Sequence, residues 1–311
     1  MKKKKKKLIL YTTTFILISA GTTLKVNKDK SIVLLNEIND YTDSFTEDNF
    51  LIAAHRGFSS LEIENTSKAI MLAEEKDYID CIEVDARMTK DGKIVLSHNS
   101  YLLAEGEYDV DVSNSYYSNI MNTNLVYQNS NFPNNGIDWA EKSLINERNN
   151  DLIGQKYNLI DLIEGINLCK DKIILLDLKF QNNDDEFIDE LILELKDINT
   201  DNIIFQSTDT KALLSLQEQT NFKCQLLIDS KYDFKNINDF NYFGIKKSLI
   251  SYDIVKKLID EGKKVAVWTI NNSKDLNNVI NTLGEYYKDV LYITDYPDLI
   301  ATKLYYKEKE E

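Results

Sequence analysis

From Leu51 onward the sequence is a string of short apolar runs, most of them trailed by a helix-like stretch. Eight runs stand out: LIAAHRG, CIEVDARM, KIILLDLKF, NIIFQS, CQLLIDS, FGIKKSLI, KVAVWTI and DVLYITD. Between them lie stretches such as NTSKAIMLAEEKD, DEFIDELILELKDI, TKALLSLQEQ, SYDIVKKLIDEG and SKDLNNVINTLG. Their apolar residues recur at helical spacing. This alternation constrains the fold more than any other feature. Successive parallel strands need a crossover, and a helix is the usual one. The reading is eight strands, each followed by a helix. Eight such units in roughly 260 residues fit an α/β fold of the closed (β/α)8 type, a TIM barrel. A doubly wound open sheet shares the alternation, and periodicity alone does not separate the two.

Local signals set the ends of the first units. Asn65, Thr66 or Ser67 can cap the first helix. Asp91-Gly92 reads as a tight turn feeding a short extra strand that carries His98. One stretch breaks the pattern. Residues 99–157 are rich in Tyr, Asn and Ser with weak periodicity, and read as a loop or small subdomain inserted after the second strand. The main domain is expected to span 49–305.

The first residues, MKKKKKKLILYTTTFILISAGTT, place a lysine run before an apolar stretch. This is the pattern of an export signal, and residues 1–24 are read as a signal peptide or an uncleaved membrane anchor. Residues 25–48 follow as a polar spacer. The lysines would stay cytoplasmic and the domain would sit outside, secreted or anchored. Composition bears on partners. The net charge is -14, and without the six lysines of residues 1–20 there remain 31 basic against 51 acidic residues. Such a domain lacks the footprint of a nucleic-acid or anionic-membrane binder. A phosphate substrate would need locally supplied positive charge. Cys81, Cys169 and Cys224 are odd in number and widely spaced, which excludes a disulfide framework or a zinc knuckle.

Polar residues cluster at the ends of the apolar runs. His55 and Arg56 close the first; Glu83 and Asp85 sit late in the second; Asp177 and Lys179 sit late in the third. Trp268 lies near the end of the seventh, and Thr294 and Asp295 end the eighth. In a barrel these ends converge on one rim, where such folds carry their sites. Residues two apart on a strand face the same side, so Glu83 and Asp85 form one pair of carboxylates. Three carboxylates aimed at one mouth repel unless a cation joins them. Hard oxygen donors without clustered Cys or His suit Mg2+ or Ca2+ rather than Zn2+. With Arg56 and Lys179 such an ion would seat a phosphate.

The ordered set HRG (55–57), ENT (64–66), Glu83 with Asp85, DG (91–92) and His98 resembles the signature of glycerophosphodiester phosphodiesterases. LLDLK (175–179), VWTIN (267–271) and ITDYPD (293–298) follow in the family's order. The resemblance covers about residues 51 to 300 and puts the 99–157 segment where the family carries its insertion. It implies a metal-dependent barrel that cuts a small-molecule or lipid-derived phosphodiester into an alcohol and glycerol 3-phosphate. It implies further that His55 and His98 are the catalytic acid–base pair and that Glu83, Asp85 and Asp177 are metal ligands. Arg56 and Lys179 would contact the phosphate, Trp268 would line the substrate pocket, and Glu64 would belong to the site. The chemistry agrees, because cleavage needs one proton taken and one given, and imidazole titrates near neutrality.

Three positions depart from the family pattern. Asn99 stands where the family has Asp after its second histidine, Ile63 replaces the proline of its PENT motif, and Asp177 replaces a glutamate. Asn99 and Asp177 keep open a binding protein with impaired turnover on the same fold, and a phospholipase D-like or cyclising phosphodiesterase acting on a lysolipid or wall polymer is a further alternative.

Overall fold

Strand β1 (Ile52–Ala54) starts a sheet that closes on itself. The structure is a computed structural model that describes Leu34 and residues 51–106, 108–128, 139–181 and 184–310. The leader and spacer read in residues 1–48 lie outside these, Leu34 apart. After β1 the chain forms helix α1 (Ser67–Glu74), capped by the Thr66 side chain, and strand β2 (Cys81–Met88). A turn at Gly92, where φ is +78°, reverses the chain into β3 (Ile94–Leu96), antiparallel to β2. The inserted segment follows: β4 (Tyr101–Ala104), β5 (Tyr108–Asp111), β6 (Leu125–Val126) and β7 (Lys156–Tyr157) pair in the order β5-β4-β6-β7. It also holds a short helix, α2 (Tyr117–Ile120), and a longer one, α3 (Trp139–Leu152).

Helix α4 (Leu162–Leu168) returns the chain to the barrel. Next come β8 (Ile173–Leu178), α5 (Asp184–Leu195), β9 (Ile203–Ser207), α6 (Thr210–Gln219), β10 (Lys223–Ile228) and β11 (Tyr242–Lys246). The chain ends with α7 (Tyr252–Asp260), β12 (Lys264–Trp268), α8 (Ser273–Leu283), β13 (Val290–Thr294) and α9 (Pro297–Glu310). Strands β1, β2 and β8 to β13 pair in parallel around a closed ring, with β1 joined to both β13 and β2. The closed barrel holds, and the open sheet does not. One expectation fails in detail. No α-helix follows β10, only a 3-10 turn at Asp233–Asn236. The connecting stretch KYDFKNINDFN has too few apolar residues at helical spacing to bury a helix face.

Most of the core lies between the strands' outer faces and the helices, including Ile52, Ile82, Val84, Leu176, Phe205, Phe243 and Leu258. A second set, Ala53, Cys81, Leu175, Ala266 and Ile293, fills the barrel interior. Small residues at Ala53 and Ala266 leave room for larger neighbours there. All three cysteines are free and buried, as small apolar packing residues are. The insertion has its own apolar cluster around Leu102, Val112, Ile120, Leu125 and Leu159. Helix α3 ties it to the barrel. Ala140, Leu144 and Ile145 pack on Tyr296 and Leu299. The Arg148 guanidinium donates twice to the Asp298 carboxylate, at 2.6 and 3.0 Å.

Candidate active site

Inward-facing positions at the C-terminal ends of four neighbouring strands form one polar row. The register aligns Asp85 with Asp177, Asp177 with Gln206, and Gln206 with Gln225. Glu83 lies two residues below Asp85 on β2 and faces the same way. Gln225 Nε2 donates to Gln206 Oε1 at 2.7 Å, and Gln206 Nε2 donates to Glu83 Oε1 at 3.4 Å. The row therefore grades from amides on β9 and β10 to carboxylates on β2 and β8.

His55 and Arg56 follow β1, where the chain turns sharply. Arg56 sits at φ +60° and Gly57 at φ +78°, and the loop passes over α1. A Cβ on Gly57 would meet the Ala69 backbone at 2.7 Å, so only glycine fits. The turn aims the Arg56 backbone N–H at Glu83 Oε2, 2.8 Å away. The Arg56 side chain reaches both Glu64 oxygens, at 2.9 and 3.0 Å, and its Nε lies 3.3 Å from Asp85 Oδ2. Asn65, also at positive φ, holds Asp85 from both sides. Its Nδ2 donates to Asp85 Oδ2 at 2.8 Å and its Oδ1 accepts from the Asp85 N–H at 2.9 Å.

The two histidines have contrasting partners. His55 Nδ1 lies 2.5 Å from Asp295 Oδ1, so the carboxylate places a proton on Nδ1 and leaves Nε2 facing Glu83, 3.8 Å away. Asp295 in turn accepts from Ser59 Oγ and Asn271 Nδ2. His98 Nδ1 meets only an amide oxygen, Asn99 Oδ1, at 3.0 Å. The Arg87 guanidinium fixes the backbone there by donating to the His98 carbonyl. Burial acts most strongly on His55 and lowers its pKa, but the Asp295 and Glu83 charges and the Asp295 hydrogen bond together outweigh it, and the net shift is upward. For His98 burial dominates, Arg56 and Lys179 add to it, and the pKa falls to about 4.

Glu83, Asp85 and Asp177 each offer an oxygen, and these lie within 4.8 Å of one another. Lys179 Nζ bridges the group, 2.9 Å from Asp85 Oδ1 and in contact with Asp177. Burial and the Asp85 charge push Glu83 well above the usual carboxylate range. Burial acts on Asp85 too, but Lys179 and Arg56 hold its pKa far below normal. Asp85 Oδ1 is buried beside the Lys179 ammonium but forms no well-aligned hydrogen bond among the described residues. An all-oxygen set, an excess of negative charge and a buried carboxylate oxygen short of hydrogen bonds together fit a hard divalent cation.

His55, Arg56, Glu83, His98, Asp177, Lys179 and Trp268 line one cavity of about 200 Å3 at the barrel mouth. Trp268 is anchored there by Nε1, which donates to the Gly244 carbonyl at 2.8 Å. Asp85 lies beneath the cavity, and Glu64 behind Arg56. Every residue singled out from the sequence is thus at or against this rim. Four residues given no site role from the sequence complete it: Asp295, Asn65, Gln206 and Asn271. Asp295 and Asn65 fall inside the ITD and ENT motifs, yet their roles depend on contacts 240 and 20 residues away along the chain. Gln206 left no sequence signal beyond its place late in the FQS run.

Residues 55–299 match the profile of the Glycerophosphoryl diester phosphodiesterase family. No protein of curated function matches the chain by sequence. Several solved structures share its fold. One is a phosphodiesterase of Oleispira antarctica in complex with the product sn-glycerol-3-phosphate, at TM-score 0.62 and 20% identity, covering 80% of this chain and 94% of that one. A glycerophosphodiester phosphodiesterase of Thermotoga maritima aligns at TM-score 0.55 and 22% identity, covering 81% of this chain and 96% of that one. Another, from Parabacteroides distasonis, aligns at TM-score 0.62 and 16% identity, covering 85% of this chain and 100% of that one. At these identities the likeness establishes a common fold.

Proposed function

Since this chain belongs to the Glycerophosphoryl diester phosphodiesterase family, we propose that it hydrolyses glycerophosphodiesters to an alcohol and glycerol 3-phosphate, with His55 and His98 exchanging the protons. Membership makes it an enzyme of the phosphodiester-hydrolase class, in a family that depends on a divalent metal. One observation carries the finer reading: both histidines, Arg56, Lys179, Trp268 and two of the three clustered carboxylates open onto one cavity. The complex of the Oleispira antarctica phosphodiesterase with sn-glycerol-3-phosphate supports the choice of product.

His55 is suited to be the base. Asp295 orients its ring, keeps Nε2 free to take a proton and steadies the imidazolium that results. His98 is left as the acid that gives a proton to the departing alkoxide, with Asn99 accepting its Nδ1–H. Arg56 and Lys179 stand ready to offset charge on the phosphoryl oxygens. Glu83, Asp85 and Asp177 would hold a divalent cation, Mg2+ or Ca2+, and such an ion would supply Lewis-acid charge stabilisation. Incubating the purified protein with a glycerophosphodiester and following products by phosphorus NMR tests the reading. Glycerol 3-phosphate is expected, and its formation should stop on adding EDTA. Formation of a different phosphate ester, or turnover indifferent to EDTA, would count against it.

The domain is further proposed to work outside the cytoplasm. The lysine run and apolar stretch of residues 2–20 support this. Fractionating cells that express the full chain should recover it in the extracytoplasmic or membrane fraction, and recovery wholly in the cytosol would refute export.

A further inference from the structure

The barrel has a second opening, at the end opposite the catalytic rim. A cavity of about 340 Å3 lies there, lined from the N-terminal ends of all eight strands, from Leu51 before β1 round to Asp289 before β13. Barrels of this kind fill their interior with layers of bulky side chains. Here the small Cys81 and Ala266 line the space, which the described residues leave unfilled at this end. Leu175, Ile204 and Leu291 make its walls apolar. Leu51 and Ile173, 47% and 41% exposed, carry that apolar surface out to the mouth. An apolar cavity of roughly 150 Å3 already suffices to bind benzene.

One polar group stands in the depth. Glu83 accepts from Gln206 Nε2, so Gln206 turns its Oε1 toward Gln225, whose Nε2 donates to it at 2.7 Å. This fixes the Gln225 amide. Its Oε1, in a residue only 3% exposed, accepts from no described residue and is left to the cavity that Gln225 lines. Charged groups keep toward the mouth and carry both signs: Asp80, Asp201 and Asp289 against Lys223 and Lys264. Asp80 accepts from the Ile52 N–H at 2.8 Å, and Lys223 donates to the Asp201 carbonyl. The mixed signs give neither a cation nor an anion a clear seat. Deeper in, an ion would lose its water without gaining a partner. A hydroxyl donor is what Gln225 lacks.

We propose that this cavity is a second ligand site, separate from the catalytic one, for a neutral and mostly apolar alcohol whose hydroxyl donates to Gln225. The proposal does not depend on the phosphodiesterase reading, because the two cavities share no lining residue.

The test is calorimetric titration of the full chain with 1-octanol, octanoate, octylammonium and dibutyl ether, the isomer of octanol that has no O–H. Saturable binding of octanol is expected, with both ions weaker by about tenfold or more. The ether should bind about threefold to tenfold more weakly than octanol. Gln225→Leu should bring octanol and the ether to equal affinity. Ile204→Trp fills the cavity and should abolish binding. Ile173→Trp crowds the mouth at an exposed position, where the fold tolerates change, and should weaken it. Glycerol 3-phosphate should not compete with octanol. The proposal is overturned by a wild type without saturable binding, by octanoate or the ether binding as well as octanol, by affinity unchanged in both tryptophan variants, or by competition with glycerol 3-phosphate.

Discussion

At the scale of single residues, the partners of the two imidazoles decide the pH behaviour. In the proposed mechanism, productive enzyme has one histidine charged and the other neutral. That population is bounded below by the lower pKa, near 4 for His98, and above by the higher, that of His55, which Asp295 and Glu83 hold above the ordinary imidazole value. A bell-shaped kcat/KM profile between those limits is expected. Asp295→Asn removes the charge that lifts His55, so the alkaline limb should move down and kcat should fall by at least about tenfold as the ring loses its orientation. Asn99→Asp puts a carboxylate on His98, so the acid limb should move up. In the free enzyme the acid has the lower pKa and the base the higher. Raising His98 therefore enlarges the productive fraction, by about tenfold for each pH unit gained. Activity of Asn99→Asp should exceed the wild type at neutral pH. A profile unmoved by either change would remove these two contacts from the chemistry.

At the scale of elements, the chain's geometry is set by a few tight turns. Gly57 shows this most clearly. Its positive φ and the 2.7 Å approach to Ala69 leave no room for a methyl group. Gly57→Ala is expected to destabilise the fold by more than about 1 kcal/mol, seen as a lower denaturation midpoint, and to reduce activity through Arg56. The strands were legible because each apolar run ends in polar residues, and period-two spacing alone puts Glu83 and Asp85 on one face. Helix α3 was not legible. Its sequence WAEKSLINERNNDL is polar on average, and its buried side includes Asn149 and the ion-paired Arg148. Those residues are satisfied by Tyr296 and Asp298, far off in sequence. The small sheet of the insertion was hidden similarly, since strands of two to four residues give no readable period. Asp295 and Asn65 lay in view within motifs, but only closure of the barrel shows what each one holds.

At the scale of the whole molecule, a strongly acidic chain places a few cations where phosphate chemistry needs them. Lys179 and Arg56 offset part of the charge of Glu83, Asp85 and Asp177, and a surplus remains. Glu83 carries that cost. A carboxyl whose folded pKa lies above its unfolded value loses stability as pH rises, so the metal-free fold is weakest where Glu83 ionises. Binding a cation at about 100 times its Kd would add roughly 2.7 kcal/mol. Mg2+ or Ca2+ should therefore raise the thermal midpoint by several degrees near neutral pH. Glu83→Gln should leave the metal-free protein at least as stable as the wild type and abolish most of the metal-induced rise. A midpoint that ignores divalent cations in the wild type would contradict the metal site.

The most direct measurement is the rate of glycerol 3-phosphate release, with divalent metal present, for the wild type, His55→Ala and His98→Ala. These are the only two histidines in the chain, so no third imidazole can substitute. The expected result is measurable turnover by the wild type and a loss of about 10²- to 10⁴-fold in each variant, with folding and metal binding retained. Turnover surviving in both variants at near wild-type rates would contradict the two-histidine account.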